Sequence, residues 1–299
     1  MKSLLVALAR LAVPLLALAA APVHAGEVDV WLEAEGRAVH SDRAVVDGDS
    51  IEASGIGTSL DGGFSWTGGR TEVQFDLGAA VFDFTDEDRS TRTSLRAVAS
   101  VAHEIVPDVT IAVAVGHWDD ITTLEARETD QDAVGVSLAY ESRPHRLRAE
   151  VQYLAREYAG AVPSTGEALR YEADYTYRFA AWTWARLDLR AEDVDSKDDL
   201  RGYERQTIRL SGSVPLDSAR RWRLRPQVEW RGWTYDKRTV EATAIPREES
   251  YVAPEIGLAY GKTEGLKARL RAAYQFRTSN DPRYRRDAPY IDLAIGYRF

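Results

Sequence analysis

The chain has 299 residues, of which 28% are Asp, Glu, Lys or Arg; it carries a formal net charge of −9 and contains no cysteine. An acidic balance argues against a nucleic-acid binder, whose contact face has to be basic. The absence of thiols excludes disulfides and every Cys-based metal or catalytic site.

The first 25 residues read as a leader. Lys2 and Arg10 supply positive charge, LAVPLLALAAA supplies an apolar stretch, and VHA ends in a small residue at Ala25. This is the pattern of a Sec-type signal peptide cut after Ala25, with the mature chain running over 26–299. No second apolar run of about twenty residues follows to make a membrane helix. No Cys stands after the cut to carry a lipid.

Beyond the leader, apolar residues recur at every second position, the signature of strands with one oily face. Fourteen such segments can be read. The first is EVDVWLEA, with Val28, Val30, Leu32 and Ala34 in phase; the second is GIGTSLDGGFSW, with Ile56, Leu60, Phe64 and Trp66 in phase. TEVQFDLGAAVF, SLRAVASVAHEI, VTIAVAVGHW, AVGVSLAYE, RLRAEVQYLARE and ALRYEADYTYRF follow. TWARLDLRAE, RQTIRLSGSVPL, WRLRPQVEWRGW, YVAPEIGLAYG, LKARLRAAYQFR and YIDLAIGYRF complete the series. No stretch shows helical periodicity.

Short connections (VPD, SRPH, AAW, DSARR, KTEG) alternate with long ones such as DFTDEDRSTRT and YDKRTVEATAIPREES. That alternation predicts an all-β fold: a single transmembrane antiparallel up-and-down β-barrel of about 14 strands, with tight turns at one rim and longer loops at the other. A soluble sandwich fits less well, because no sandwich core could hide Arg223, Arg225, Glu229 and Arg231 on the face opposite the apolar one. Aromatic residues also gather at strand ends, with Trp66, Tyr140, Trp222 and Tyr260 toward the short-turn rim and Trp230, Tyr274 and Phe276 toward the other. Two such belts are expected at the two headgroup levels of a bilayer. EGRAVHSDRAVVDGDSIEAS is poorly patterned, so 12 strands plus an N-terminal arm is the alternative.

The chain ends on YIDLAIGYRF, where Ile291, Leu293, Ile295, Tyr297 and Phe299 share one face. In lipid an open sheet edge is not tolerated, so this strand must pair with the first. A terminal Phe, an aromatic two before it and alternating apolar residues upstream resemble the C-terminal assembly signal of Gram-negative outer-membrane barrels. The strand count extends the likeness to the small monomeric fourteen-stranded porins of that membrane. The resemblance implies a monomer in the cell outer membrane, with outer-membrane lipid, lipopolysaccharide and the barrel-insertion machinery as partners, and no cofactor. The acidic long loops are a solvated surface on one reading and sites for divalent cations bridging to lipopolysaccharide phosphates on the other.

The face opposite the apolar one would line a lumen. Its early positions are small, as at Gly78, Ala80, Ser100, Ala102, Ala112 and Ala114. Later strands place Arg205, Arg209, Arg223, Arg225, Arg231, Lys267, Arg269, Arg271 and Arg277 there, with only Glu229 and Glu255 read against them. Guanidinium forks pair with carboxylates and phosphates, and a basic arc in a narrow tube favours anions. The expected function is therefore a porin-like channel for passive diffusion of small anionic solutes or acidic oligosaccharides. An export or anchoring barrel is the alternative, and an outer-membrane hydrolase a lesser one. The best catalytic candidate, HWDD at 117–120, fails on parity, which turns the His117 ring to the lipid side. No metal-ligand cluster or catalytic set is read, and an enzyme is not expected.

Overall fold

The computed structural model describes residues 26–46, 50–85, 91–123, 128–159, 164–198, 200–241, 243–261 and 263–299. The expected leader, 1–25, lies outside the described residues. The strands are β1 (Glu27–Val46), β2 (Ser50–Gly68), β3 (Thr71–Phe84), β4 (Arg92–Val106), β5 (Val109–Ile121), β6 (Thr129–Ser142) and β7 (His145–Tyr158). After them come β8 (Ser164–Ala180), β9 (Thr183–Ser196), β10 (Tyr203–Pro215), β11 (Trp222–Thr239), β12 (Pro246–Tyr260), β13 (Gly265–Ser279) and β14 (Arg286–Arg298). Each pairs antiparallel with its neighbours in sequence, and β14 returns to β1, closing one barrel.

Closure answers why the terminal strand is oiled on one face. β14 aligns with β1 from Glu33 opposite Arg298 to Ser41 opposite Tyr290. The Phe299 N–H donates to the Leu32 carbonyl at 2.8 Å, so the pairing runs to the last residue. No edge is left along the shared length. Fourteen strands spaced at about 4.8 Å and tilted about 40° enclose a backbone cylinder roughly 28 Å across.

The outward face is apolar and open. Val30 is 70% exposed, and Leu270 and Leu293, which a soluble interior would bury, are 44% and 43% exposed. On β14 the outward run from Tyr297 up to Asp287 spans ten residues of rise. That is about 33 Å along the strand and about 25 Å along the axis, the height of a bilayer-spanning belt. Ring pairs bracket it: Trp222 with Tyr260 at 4.9 Å and Tyr297 with Phe299 at 4.7 Å near one rim, Tyr274 with Phe276 at 4.9 Å toward the other.

The expected fourteen strands are present, and the alternative of twelve with an N-terminal arm is not: β1 continues to Val46 and β2 starts at Ser50. The pattern after Ala34 fails because the pairing register shifts between Val39 and Asp42 and again between Asp42 and Val45. Several expected long loops are shorter. β11 runs to Thr239 and β12 begins at Pro246, so these strands rise beyond the apolar belt with polar residues outward, where alternation of oil and charge no longer marks them.

Candidate functional site

Pairing across strands keeps facing residues on the same side, so the exposed belt fixes which residues point inward. All nine basic residues singled out from the sequence do, as do Glu229 and Glu255. Ile291, Leu293, Ile295, Tyr297 and Phe299 point outward and are 43–69% exposed.

The inward charges are organised around buried carboxylates. Glu192 on β9 is 3% exposed. It accepts from Arg170 Nε at 2.7 Å, Arg205 Nη2 at 2.6 Å and Arg156 Nη2 at 2.9 Å. The ladder dictates this, because Arg170 and Arg205 stand directly opposite Glu192 on its two flanking strands. Glu229 on β11 accepts from Arg209 Nε at 2.7 Å, Arg231 Nη2 at 2.9 Å and the Tyr251 hydroxyl. Asp292 on β14, fully buried, accepts from Arg37 Nε at 2.8 Å and Arg271 Nη2 at 2.7 Å, with Arg269 at 3.4 Å. Glu249 on β12 pairs with Arg277 and with Arg247 at 3.0 Å.

This corrects the sequence reading that only Glu229 and Glu255 oppose the nine cations. Arg205, Arg271 and Arg277 meet Glu192, Asp292 and Glu249, while Lys267 reaches Glu33 at 2.6 Å and Arg269 lies 3.7 Å from Glu35. Glu192, Asp292, Glu33 and Glu35 stand on strands outside the stretch compared in the sequence, and Glu249 fell in an expected loop. Each of these four carboxylates nonetheless serves two or three guanidiniums, so pairing leaves cations in surplus. Removing charges from water is costly, and such clusters hold only when hydrogen bonds occupy the remaining lone pairs. The Tyr290 hydroxyl helps here by accepting from Arg37 at 2.7 Å and Arg271 at 3.0 Å.

Arg223 and Arg225 differ. No carboxylate pairs with either among the described residues; the charged groups acting on Arg225 are Arg223 and Arg269, both cations. The Arg223 guanidinium lies 4.7 Å from the Trp182 ring centre.

Inward aromatic and aliphatic residues, which sequence reading did not weigh, fill much of the long-loop half. Leu154, Val194, Tyr203, Trp233, Tyr235 and Tyr251 form one cluster there, with Trp118 against it. Strand parity was the signal available for them. Parity does hold for His117: its ring is outside, with Nδ1 2.8 Å from Asp132 on the same outer face. His145, read as part of a turn, instead opens β7 and lies against Tyr175 and Tyr177. Among the described residues, no three His, Asp or Glu side chains are arranged to hold a metal ion.

No protein-family model matches the sequence, and no curated protein matches it. Solved structures do match the fold. The outer-membrane channel DcaP of Acinetobacter baumannii is 11% identical, with a TM-score of 0.54 over 92% of this chain and 97% of that one. OmpT, an outer membrane protein of Vibrio cholerae, is 9% identical, with a TM-score of 0.53 over 93% and 99%. An anion-selective porin from Comamonas acidovorans is 11% identical, with a TM-score of 0.50 over 92% and 100%. At these identities the likeness is one of architecture, and the chain has the fold of the outer-membrane porins, realised as a closed antiparallel barrel of fourteen strands.

Proposed function

We propose that the protein is an outer-membrane channel through which small anionic solutes or acidic oligosaccharides diffuse passively, selected by the basic arc on the inward faces of β7–β13. The observation that carries this reading is the sharing of Glu192, Glu229, Glu249 and Asp292 by two or three guanidiniums each. Local pairing fixes the arginines in place without cancelling their charge. In a narrow passage with low-dielectric walls such a surplus raises the local anion concentration. The anion-selective porin of similar fold supports the same direction.

On this reading residues 1–25 are removed on export, the barrel-insertion machinery reads the terminal strand, and the mature chain stands as a monomer among outer-membrane lipid and lipopolysaccharide. The short turns face the periplasm and the long loops the exterior. On this reading the barrel conducts rather than catalyses, and His117, the best catalytic candidate, pairs with Asp132 on the outer face.

Planar-bilayer recording of the refolded barrel in a potassium chloride gradient tests the proposal. A steady current with a reversal potential on the anion side is expected, and a cation-side potential would end the anionic reading. A silent barrel would favour the anchoring or export role, which the packed cluster around Tyr203 and Tyr251 otherwise leaves second.

A further inference from the structure

Near the short-turn rim three buried polar atoms have no hydrogen-bond partner among the described residues: Ser213 Oγ, Arg223 Nε and Arg269 Nε. Buried donors left unmade are costly, and native structures pair nearly all of them. These three come from β10, β11 and β13, on the stretch of wall where Arg223 and Arg225 also lack a carboxylate.

β12, between the two arginine-bearing strands, presents almost no side chain here. Gly257 stands opposite Arg225 on one side and Arg271 on the other, and Ala259 stands opposite Arg223 and Arg269. The floor is thus backbone and one methyl, bordered by guanidiniums on both flanks. Gly257 keeps it low: a Cβ there would lie 3.3 Å from Arg225 Cβ. Arg223 is 6% exposed, and Trp182 supports its guanidinium face, so the fork is held in place rather than free to sweep.

Among the described residues the other buried arginines are met by acids of the chain itself, and Arg269 has Asp292 at 3.4 Å and Glu35 at 3.7 Å. Arg223 and Arg225 have no such acid, while the donors, the floor and the positioning ring are present. We infer that this trough at the periplasmic mouth binds an oxyanion, the carboxylate of an organic acid or a phosphate group. Arg223 and Arg225 supply the forks, Arg269 the flanking charge and Ser213 a hydroxyl donor. The inference rests on the anion-conducting reading and deepens it, by placing the residence site of the solute at one end of the passage.

The test uses the full refolded barrel, with benzoate or inorganic phosphate added to the periplasmic side during chloride recording. Transient blocks whose frequency rises with concentration are expected, and the more effective anion identifies the group recognised. Arg223→Lys with Arg225→Lys keeps both charges and removes both forks. The reversal potential should stay in place while mean block time falls at least about tenfold, since both forks are lost and both charges kept. Should that pair of changes impair folding, Ala259→Leu raises the floor with every charge intact and is expected to shorten the blocks likewise. Titration calorimetry in detergent, with the same two anions, reads the site without a current. Blocks and binding heats unchanged in both variants, or absent for both anions in the unaltered protein, overturn the inference. A cation-preferring current together with binding heats that the variants abolish would reject the channel selectivity and leave the site standing.

Discussion

On β2–β5 the inward side chains include Asp61, Asp76, Ser100, Ala102, Ala112 and Ala114, all of them partly exposed. On β7–β12 their counterparts include Leu154, Arg156, Val194, Arg205, Arg231 and Tyr251, none more than 2% exposed. Both stretches obey the same rule outside, apolar at every second position, because both meet lipid. Inside they diverge: one wall is small and carries acids, the other is bulky, ion-paired and mostly basic. A fourteen-strand circumference therefore does not by itself set the bore. In the long-loop half the side chains of β7–β12 crowd the interior, while these positions on β2–β5 stay partly exposed.

The sharpest way to break this comparison is to remove one carboxylate from each wall. Glu192→Gln leaves Arg156 and Arg205, whose side chains are wholly buried, without their counter-charge. A loss of about 3–5 kcal/mol is expected, measured by urea unfolding in lipid vesicles. Asp76→Asn on the other wall, where the partner is Gln74 Nε2 at 2.7 Å, should cost about 1 kcal/mol or less. Equal losses would mean that the two walls are not built differently.

A second experiment reads the bore. Ser100→Trp places a large ring on the thin wall and should cut single-channel conductance by about half, since pore-lining bulk limits passage directly. Tyr251→Phe on the thick wall keeps the volume and should leave conductance nearly unchanged. The smallest effect is expected outside the barrel. Asp281, in the β13–β14 loop, accepts from the Arg283 N–H at 3.1 Å and from its Nη2 at 2.7 Å, capping the short turn Pro282–Tyr284. Asp281→Ala should speed hydrogen exchange at the Arg283 N–H while leaving the unfolding midpoint and the current alone.

The outer wall was legible in the sequence because a bilayer imposes one chemistry on every second residue along about ten residues of each strand. Strand number, closure and the outward placement of Leu270, Leu293 and His117 followed from that alone. The inner wall obeys no such rule. That Arg170, Glu192 and Arg205 form one row depends on the registers of β8, β9 and β10, and no linear spacing encodes a register. The bulged hairpin after Val39 failed for a related reason, since a shift in pairing reverses the faces it would be recognised by. Glu249 and Arg247 were assigned to a loop because β12 begins above the oily belt, where strands and loops have similar composition.

The seam between the two ends of the chain has a practical consequence. β14 reaches β1 only from Leu32 upward, so Glu27–Trp31 pair with β2 alone. A peptide fused after Phe299 would be carried along that unoccupied ledge and could zip onto it as extra sheet. A fusion placed ahead of Gly26 would leave the ledge on the far side of β1 from its only partner undisturbed. Affinity handles for this barrel therefore belong ahead of β1 rather than after β14.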